Sequence, residues 1–215
     1  MQTKRIVIVG NSGFARECYI MLRHIMGADP GISFRGFLSF EGYEADLKEL
    51  APYFLGIDDD YAFAGDEYAV IAIGKPELRK RAFEKLTARD VALFTLIHPH
   101  SYVDPSTQIG VGSIIGYNTY VSCNCTIGNG NVLNGLIHIG HDSSMRDFNF
   151  VAPGVQILGC VSIGSQNSIG ATSVILPHAK IGNNNIIAPL SSIYKGCKSN
   201  CYMAGNPAVK IGSAK

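Results

Sequence analysis

Two places in this 215-residue sequence hold residue types that can do chemistry. One is His141-Asp142, directly after Gly140. An imidazole changes protonation near neutral pH, so it can take the proton from an attacking amine or hydroxyl, and a neighbouring carboxylate can orient the ring and stabilise its cation. A solvated surface histidine with no role is the plainer alternative. His138 stands one residue before an apolar position and His178 follows Leu176-Pro177, and both read as structural or solvated. The other place is Gly10-Asn11-Ser12-Gly13, between an apolar run and an amphipathic segment. Such a loop presents backbone N–H groups and a hydroxyl at a helix start, where the helix dipole also favours an anion such as a diphosphate. It is not the GxGxxG fingerprint, and no acidic residue ends the next strand to grip a ribose 2′-OH, which argues against a nicotinamide cofactor. A plain strand-to-helix turn stays open. The cysteines, Cys18, Cys123, Cys125, Cys160, Cys197 and Cys201, form no CxxC pair and no His-rich zinc spacing. They read as reduced thiols, mostly in small buried positions, and no metal is expected.

The element that must position His141 is a repeat. Stepping by six from Val103, the residues are Val103, Ile109, Ile115, Val121, Ile127, Leu133, Ile139, Met145, Val151, Ile157, Ile163, Ile169, Ile175, Ile181, Ile187 and Ile193, sixteen apolar positions without a phase slip. Seven are followed by glycine, at Gly110, Gly116, Gly128, Gly140, Gly164, Gly170 and Gly182, which marks a recurring corner or close backbone approach. A period of six fits neither an α-helix nor a coiled coil. Three hexapeptides make one triangular coil, and with coils ~4.8 Å apart the whole forms a prism roughly 25 Å tall around a column of apolar side chains. On this reading His141 sits at a coil corner, where a side chain can point outward.

The element that must position the Gly10 loop is an α/β domain. Lys4–Val9 reads as a buried strand, and Phe14, Cys18, Met21, Leu22 and Ile25 as one face of a helix. Further strands are expected at Phe34–Ser39, Tyr68–Ile73 and Ala92–Ile97, with a helix opened by Pro76 that turns Leu78, Ala82, Phe83 and Leu86 inward. This is a short parallel, Rossmann-like sheet, in which Gly74 lies at the same carboxyl edge as the Gly10 loop. The expected domains are an α/β domain over 1–98 and a parallel β-helix over 99–215.

Composition removes several classes of function. With 47% apolar and 16% charged residues the chain buries a core. A net charge of +1 leaves no basic surplus for a phosphate backbone, so no nucleic-acid partner is expected. The longest apolar runs of the first half fall short of the about 18 residues a spanning helix needs, which argues against a membrane segment. Ile6–Val9 is cut off by Gly10 too soon for a secretory leader, so a cytoplasmic location is expected.

Along nearly its whole length the sequence resembles the two-domain bacterial hexapeptide-repeat sugar acyltransferases. These include N-acetyltransferases of nucleotide-linked 4-amino-4,6-dideoxy sugars and a sialic acid O-acetyltransferase. The Ile-Gly-x4 repeats carry the resemblance, together with Gly10-Asn11-Ser12-Gly13, Ala72-Ile73-Gly74, Ile97-His98-Pro99, Gly140-His141-Asp142, Leu176-Pro177 and Ala204-Gly205-Asn206-Pro207-Ala208. It implies a left-handed coil, against the usual right-handed rule, and a homotrimer that binds acetyl-CoA between adjacent prisms. It implies His141 as general base, Asp142 as its acidic partner and Asn134 as a ligand of the acceptor amino group. The sugar nucleotide would lie on Gly10, Asn11, Ser12, Gly13, Phe14 and Gly74, and acetyl-CoA on Phe150, Gly159, Ala171, Pro189, Asn206 and Pro207. Two positions depart from the family pattern. A second family histidine falls on Phe150, which cannot donate a hydrogen bond, and an acidic pair that reads the base is replaced by Ser39-Phe40. The activity implied is acetyl-CoA-dependent N-acetylation of a nucleotide-linked amino sugar for surface glycans. Sugar O-acetylation and a non-catalytic binding module are the alternatives.

Overall fold

The computed structural model describes residues 3–41 and 48–214. The chain divides into two compact units, Met1–Pro99 and His100–Lys215, one residue beyond the expected division. Among the described residues no helix is long and apolar enough to cross a membrane.

The first unit runs β1 (Lys4–Val9), α1 (Gly13–Ala28), β2 (Ile32–Ser39), a 3₁₀ turn (Lys48–Tyr53), β3 (Phe54–Ile57), β4 (Glu67–Ile71), α2 (Pro76–Thr87) and β5 (Ala92–Leu93). The strands form one parallel sheet in the order β3-β2-β1-β4-β5. Ile6, Val7, Ile8 and Val9 are wholly buried because a central parallel strand is covered on both faces. The strand order reverses beside β1, so the loops after β1 and β4 flank the crevice where open α/β sheets take ligands. Several expectations shift. The segment Ala92–Ile97 breaks into Ala92–Leu93 and a separate Leu96–Ile97, and β4 ends at Ile71, before Ile73. In α1 the inward face uses Ala15 where Phe14 was expected, and in α2 it uses Arg79 where Leu78 was expected; Phe14 and Leu78 are half-buried.

The second unit is a triangular parallel β-helix of two-residue strands. Its first face stacks Tyr102–Val103, Tyr120–Val121, His138–Ile139, Gln156–Ile157, Val174–Ile175 and Ser192–Ile193. The second begins at Gln108–Ile109 and ends at Gly196–Cys197. The third climbs through Ile114–Ile115, Val132–Leu133, Phe150–Val151, Ser168–Ile169 and Ile186–Ile187 to Cys201–Gly205, which pairs antiparallel with Ala208–Ser213. Through most of the stack each residue pairs with the one 18 positions on, as Tyr120 with His138 and His138 with Gln156, and the last coil is shorter, pairing Lys180 with Gly196 and Ile186 with Tyr202. Fourteen of the sixteen inward positions are buried; Val103 and Ile109, which open the stack, are half-buried because no earlier hexapeptide coil lies over them.

The repeat glycines are not the turning residues. A Cβ on Gly140 would stand 2.6 Å from the Gly159 nitrogen, and one on Gly170 2.4 Å from that of Pro189, so close approach of successive coils requires them. The turns are made two residues later by left-handed backbone at Gly112, Asn118, Asn124, Gly130, Leu136, Asp142, Phe148, Gly154, Cys160, Gln166, Thr172, His178, Asn184 and Leu190. Eleven of these fourteen are not glycine, a conformation that costs about 1–3 kcal/mol each and persists only where the surrounding ladder imposes it. Inside the prism Asn131, Asn149, Asn167 and Asn185 form a buried ladder. Each Oδ1 of the first three accepts the backbone and side-chain N–H of the next asparagine at 2.9–3.0 Å, and that of Asn185 accepts Cys201 N–H. The ladder satisfies polar groups that would otherwise be orphaned in the core.

Candidate active site

His141 and Asp142 stand on the edge between the first and second faces, between the strands His138–Ile139 and Ser144–Met145. Asp142 takes the left-handed turn position with φ 56°, and its N–H donates to Cys123 O of the preceding coil at 3.1 Å. Both side chains point outward, with 60% of His141 and 51% of Asp142 exposed. His141 Nδ1 lies 2.7 Å from Asp142 Oδ2, and Asn124 Nδ2 donates to Asp142 Oδ1 at 3.2 Å. The bonds from His141 and Asn124 hold the Asp142 carboxyl below the usual carboxylate range, so it is ionised at neutral pH and can only accept. The Nδ1–H of a neutral His141 is therefore the donor, which leaves the lone pair on Nε2.

Gly159 lies against this ring. A Cβ there would stand 2.8 Å from Nε2 and 2.9 Å from Cε1 of His141, so only glycine leaves room for the imidazole over the next coil. Cys160 occupies the turn position below Asp142, with φ 59°, and its N–H donates to His141 O at 2.9 Å. Donor atoms of His141, Asp142 and Cys160 all fall within 4.8 Å of one another. Nothing in the local spacing signals this neighbour, because it arises from one coil of 18 residues plus one. On the first face the rings of Tyr102 and Tyr120 stack at 5.4 Å and those of Tyr120 and His138 at 5.2 Å, so His138 belongs to an aromatic column rather than to the His141 pair. His178 is an exposed turn residue with φ 64°.

The other residues that the resemblance implies lie elsewhere on the prism. Asn134, Ala171 and Pro189 follow strands of the third face and precede strands of the first, so they share the edge between those faces. Leu190 N–H, beside Pro189, donates to Ala171 O at 3.0 Å, which fixes these two corners one above the other. Phe150 is a half-buried residue of the third face, and Asn206 and Pro207 form an exposed cis-linked turn. A single chain thus brings Gly159 to His141 and leaves Asn134, Ala171 and Pro189 one face away.

In the first unit the Gly10 loop and the end of β4 come together. Gly10 has φ 134°, a Cβ on it would stand 2.5 Å from Ala72 O, and Ala72 N–H donates to Val9 O at 2.8 Å. The N–H of Gly10 itself donates to Leu38 O at 2.8 Å, so it belongs to the fold and not to a ligand. Asn11 is buried, whereas Ser12 is exposed at the N-cap of α1 and makes no side-chain capping bond. A Cβ on Gly13 would meet only the Arg16 guanidinium, at 3.7 Å. Gly74 lies past the end of β4. Its carbonyl and that of Ile73 both accept from Arg79 Nη1 at 2.7 Å, a buried guanidinium that burial lowers to about 9. Arg79 was not legible in the sequence, since an arginine on a helix is ordinarily read as solvated. Ser39 and Phe40 are both buried, so neither side chain is placed to read a nucleotide base.

Residues 5–86 match the family model of the PglD N-terminal domain. A mutant of perosamine N-acetyltransferase from Caulobacter crescentus, in complex with CoA and GDP-perosamine, superposes with a TM-score of 0.85 at 20% identity over 97% of each chain. The acetyltransferase domain of PglB from Neisseria gonorrhoeae FA1090, in complex with acetyl coenzyme A, gives 0.84 at 20% identity over 97% of this chain and 100% of that one. The chain therefore has the fold of these hexapeptide-repeat acetyltransferases, a short parallel α/β sheet followed by a left-handed parallel β-helix. YvoF of Bacillus subtilis (strain 168) is 24% identical over 136 residues, 63% of this chain and 64% of YvoF, so the chain spans less than two thirds of that relative.

Proposed function

We propose that this chain is an acetyl-CoA-dependent N-acetyltransferase acting on a nucleotide-diphosphate-linked amino sugar of the 4-amino-4,6-dideoxy type, in surface-glycan biosynthesis in the cytoplasm. The observation that carries this reading is the outward His141–Asp142 pair, 2.7 Å apart, with the Nε2 lone pair left over. Such a pair suits a reaction in which an amine must lose a proton as it attacks. The acceptor nitrogen adds to the thioester carbonyl, His141 Nε2 takes the ammonium proton, and the intermediate collapses to the amide. The imidazolium then returns the proton to the departing CoA thiolate. Asp142 keeps the ring in the tautomer that can do this. CoA and GDP-perosamine bound to a protein of the same fold support both substrates.

The Ser12 hydroxyl and the start of α1, with Asn11, Gly13, Phe14 and Gly74, would hold the diphosphate; Gly10 shapes the loop. Asn134 would face the acceptor amine, and Phe150, Gly159, Ala171, Pro189, Asn206 and Pro207 the cofactor. Because His141 and the group Asn134, Ala171 and Pro189 stand on different edges, the site needs a second copy, and a homotrimer supplies it. The test is an assay with acetyl-CoA across nucleotide-linked amino sugars, run on the wild type and His141→Ala, with light scattering for the assembly. Acetyl transfer to an amine that collapses in His141→Ala is the expected result. Transfer only to hydroxyls would give an O-acetyltransferase, no transfer would leave a binding module, and a monomer at micromolar concentration would remove the shared site.

A further inference from the structure

We propose that His141, Asp142 and Cys160 form a binding site for a soft divalent cation, with Zn²⁺ the best chemical fit, and that its occupation silences His141 as a base. Among the described residues this is the one group of three such side chains whose donor atoms all lie within 4.8 Å of one another. The coil builds it. Asp142 and Cys160 are the same turn position in successive coils, with φ 56° and 59°, so their side chains leave the backbone in parallel about one strand spacing, ~4.8 Å, apart. Hydrogen bonds from Asp142 N to Cys123 O and from Cys160 N to His141 O lock both turns. Gly159 lets the imidazole lie over the same corner. Asn124 holds Oδ1 of Asp142, which leaves Oδ2 on the side of His141.

The donor set selects the ion. Zinc takes imidazole nitrogen, thiolate and carboxylate at about 2.0–2.3 Å in a tetrahedron, which sets its donors roughly 3.4–3.8 Å apart. Nδ1 and Oδ2, 2.7 Å apart, need to open by roughly 0.7 Å to admit the ion and the wider separations, up to 4.8 Å, to close by about 1 Å, which exposed or half-buried side chains can do by rotation about χ angles. Calcium and magnesium demand oxygen donors and do not suit a thiol and an imidazole. On binding, Cys160 coordinates as the thiolate and its proton passes to solvent. The cation takes the place of the proton between Nδ1 and Oδ2; that proton leaves to solvent and Nε2 takes one up from solvent, so the neutral ring again carries a single proton, now on Nε2. His141 then has no free lone pair to accept a proton. The cation site stands by itself; only the silencing rests on the activity proposed above.

The test titrates Co²⁺ into the purified chain and follows the thiolate-to-cobalt charge-transfer absorption, with Zn²⁺ as competitor. A one-to-one band is expected. It should disappear in Cys160→Ser and weaken strongly in His141→Ala, and it should survive in Cys123→Ser, on the neighbouring coil. Cys160→Ser should melt with the wild type, and Zn²⁺ should inhibit it at least about tenfold more weakly, as measured on initial rates before free CoA accumulates. Absence of the band, or a band indifferent to Cys160→Ser, would overturn the site. If the band behaves as expected and Zn²⁺ leaves an active chain at full rate, the silencing is wrong. If the band behaves as expected in a chain that transfers no acetyl group to any acceptor, the cation site stands and the proposed activity falls.

Discussion

The sheet of the first unit buries its central parallel strand on two sides and the prism of the second buries its strands on the inward side, and they place functional groups by opposite means. In the sheet the contacts follow no repeat: Gly10 meets Ala72, and Arg79 meets Ile73 and Gly74. In the prism each position recurs 18 residues on, so Asn124, Asp142 and Cys160 form one column and Cys123, His141 and Gly159 the next. A repeated scaffold makes chemistry conspicuous, because a residue that contributes nothing to the column is the one free to face substrate. It also makes chemistry cheap to relocate and hard to complete, since one edge presents only what its column holds. Asn134 and Ala171 therefore lie a face away from His141 in the same chain.

The sharpest contrast is between catalysis and stability in the prism. His141→Ala should lower kcat by roughly 10²- to 10⁴-fold, the worth of a positioned base, with the melting temperature little changed, because the side chain is 60% exposed. Steady-state kinetics and a thermal melt on the same sample check this. A variant that loses activity and stability together would make His141 part of the scaffold, and the two columns would no longer differ in kind.

The core should be graded along the prism. Ile157, buried in the middle, should cost about 2–5 kcal/mol when cut to alanine, whereas Ile109, half-buried in the opening coil, should cost distinctly less. Denaturant unfolding of the two variants measures the difference. Equal losses would mean that the first coil is covered in solution and that the comparison of repeats by burial is mistaken.

How much of this was legible in the sequence follows from the same contrast. The sixteen apolar positions announced the prism because every coil repeats the last, and His141 stood out against that background. The neighbour Cys160 did not, because it is reached through a coil and a turn rather than through a motif. In the first unit β1 and α1 were legible from Ile6–Val9 and the spacing of Cys18, Leu22 and Ile25. The short edge strand Phe54–Ile57 was missed, since its burial is incomplete and its pattern weak. The break between Leu93 and Leu96 was missed for another reason: an apolar run does not reveal where a strand leaves its sheet.

Within the first unit the two glycines of the loop should separate. Gly10→Ala forces a Cβ against Ala72 O at 2.5 Å and a strained φ of 134°, and should cost about 1–3 kcal/mol of stability. Gly13→Val has space at its Cβ and begins a helix, so it should leave the melt near that of the wild type and raise KM for the sugar nucleotide without changing that for acetyl-CoA. Equal destabilisation by both would assign the whole loop to folding and remove it from the proposed site.

The smallest effect concerns Asp142. Its carboxyl is held low by His141 first and Asn124 second, so any stability it contributes is present above its unfolded pKa, about 3.9, and is lost as the pH falls through the lower folded value. That contribution should therefore be fully present, and constant with pH, near neutrality. Only at strongly acidic pH should the melting curves of the wild type and Asp142→Asn converge. Both partners are about half exposed or more, where water and salt screen the pair, so the gap between the curves should be small even at its widest. Activity should respond more, because the amide still fills the turn but no longer fixes the ring by an ionic bond, and kcat should fall by less than in His141→Ala. Thermal melts from acid to neutral pH, paired with kcat at neutral pH, check both halves. If Asp142→Asn lowers the melting temperature at neutral pH as far as Ile157→Ala does, the corner is a structural element like the column behind it. Its carboxylate would then serve the turn rather than the imidazole.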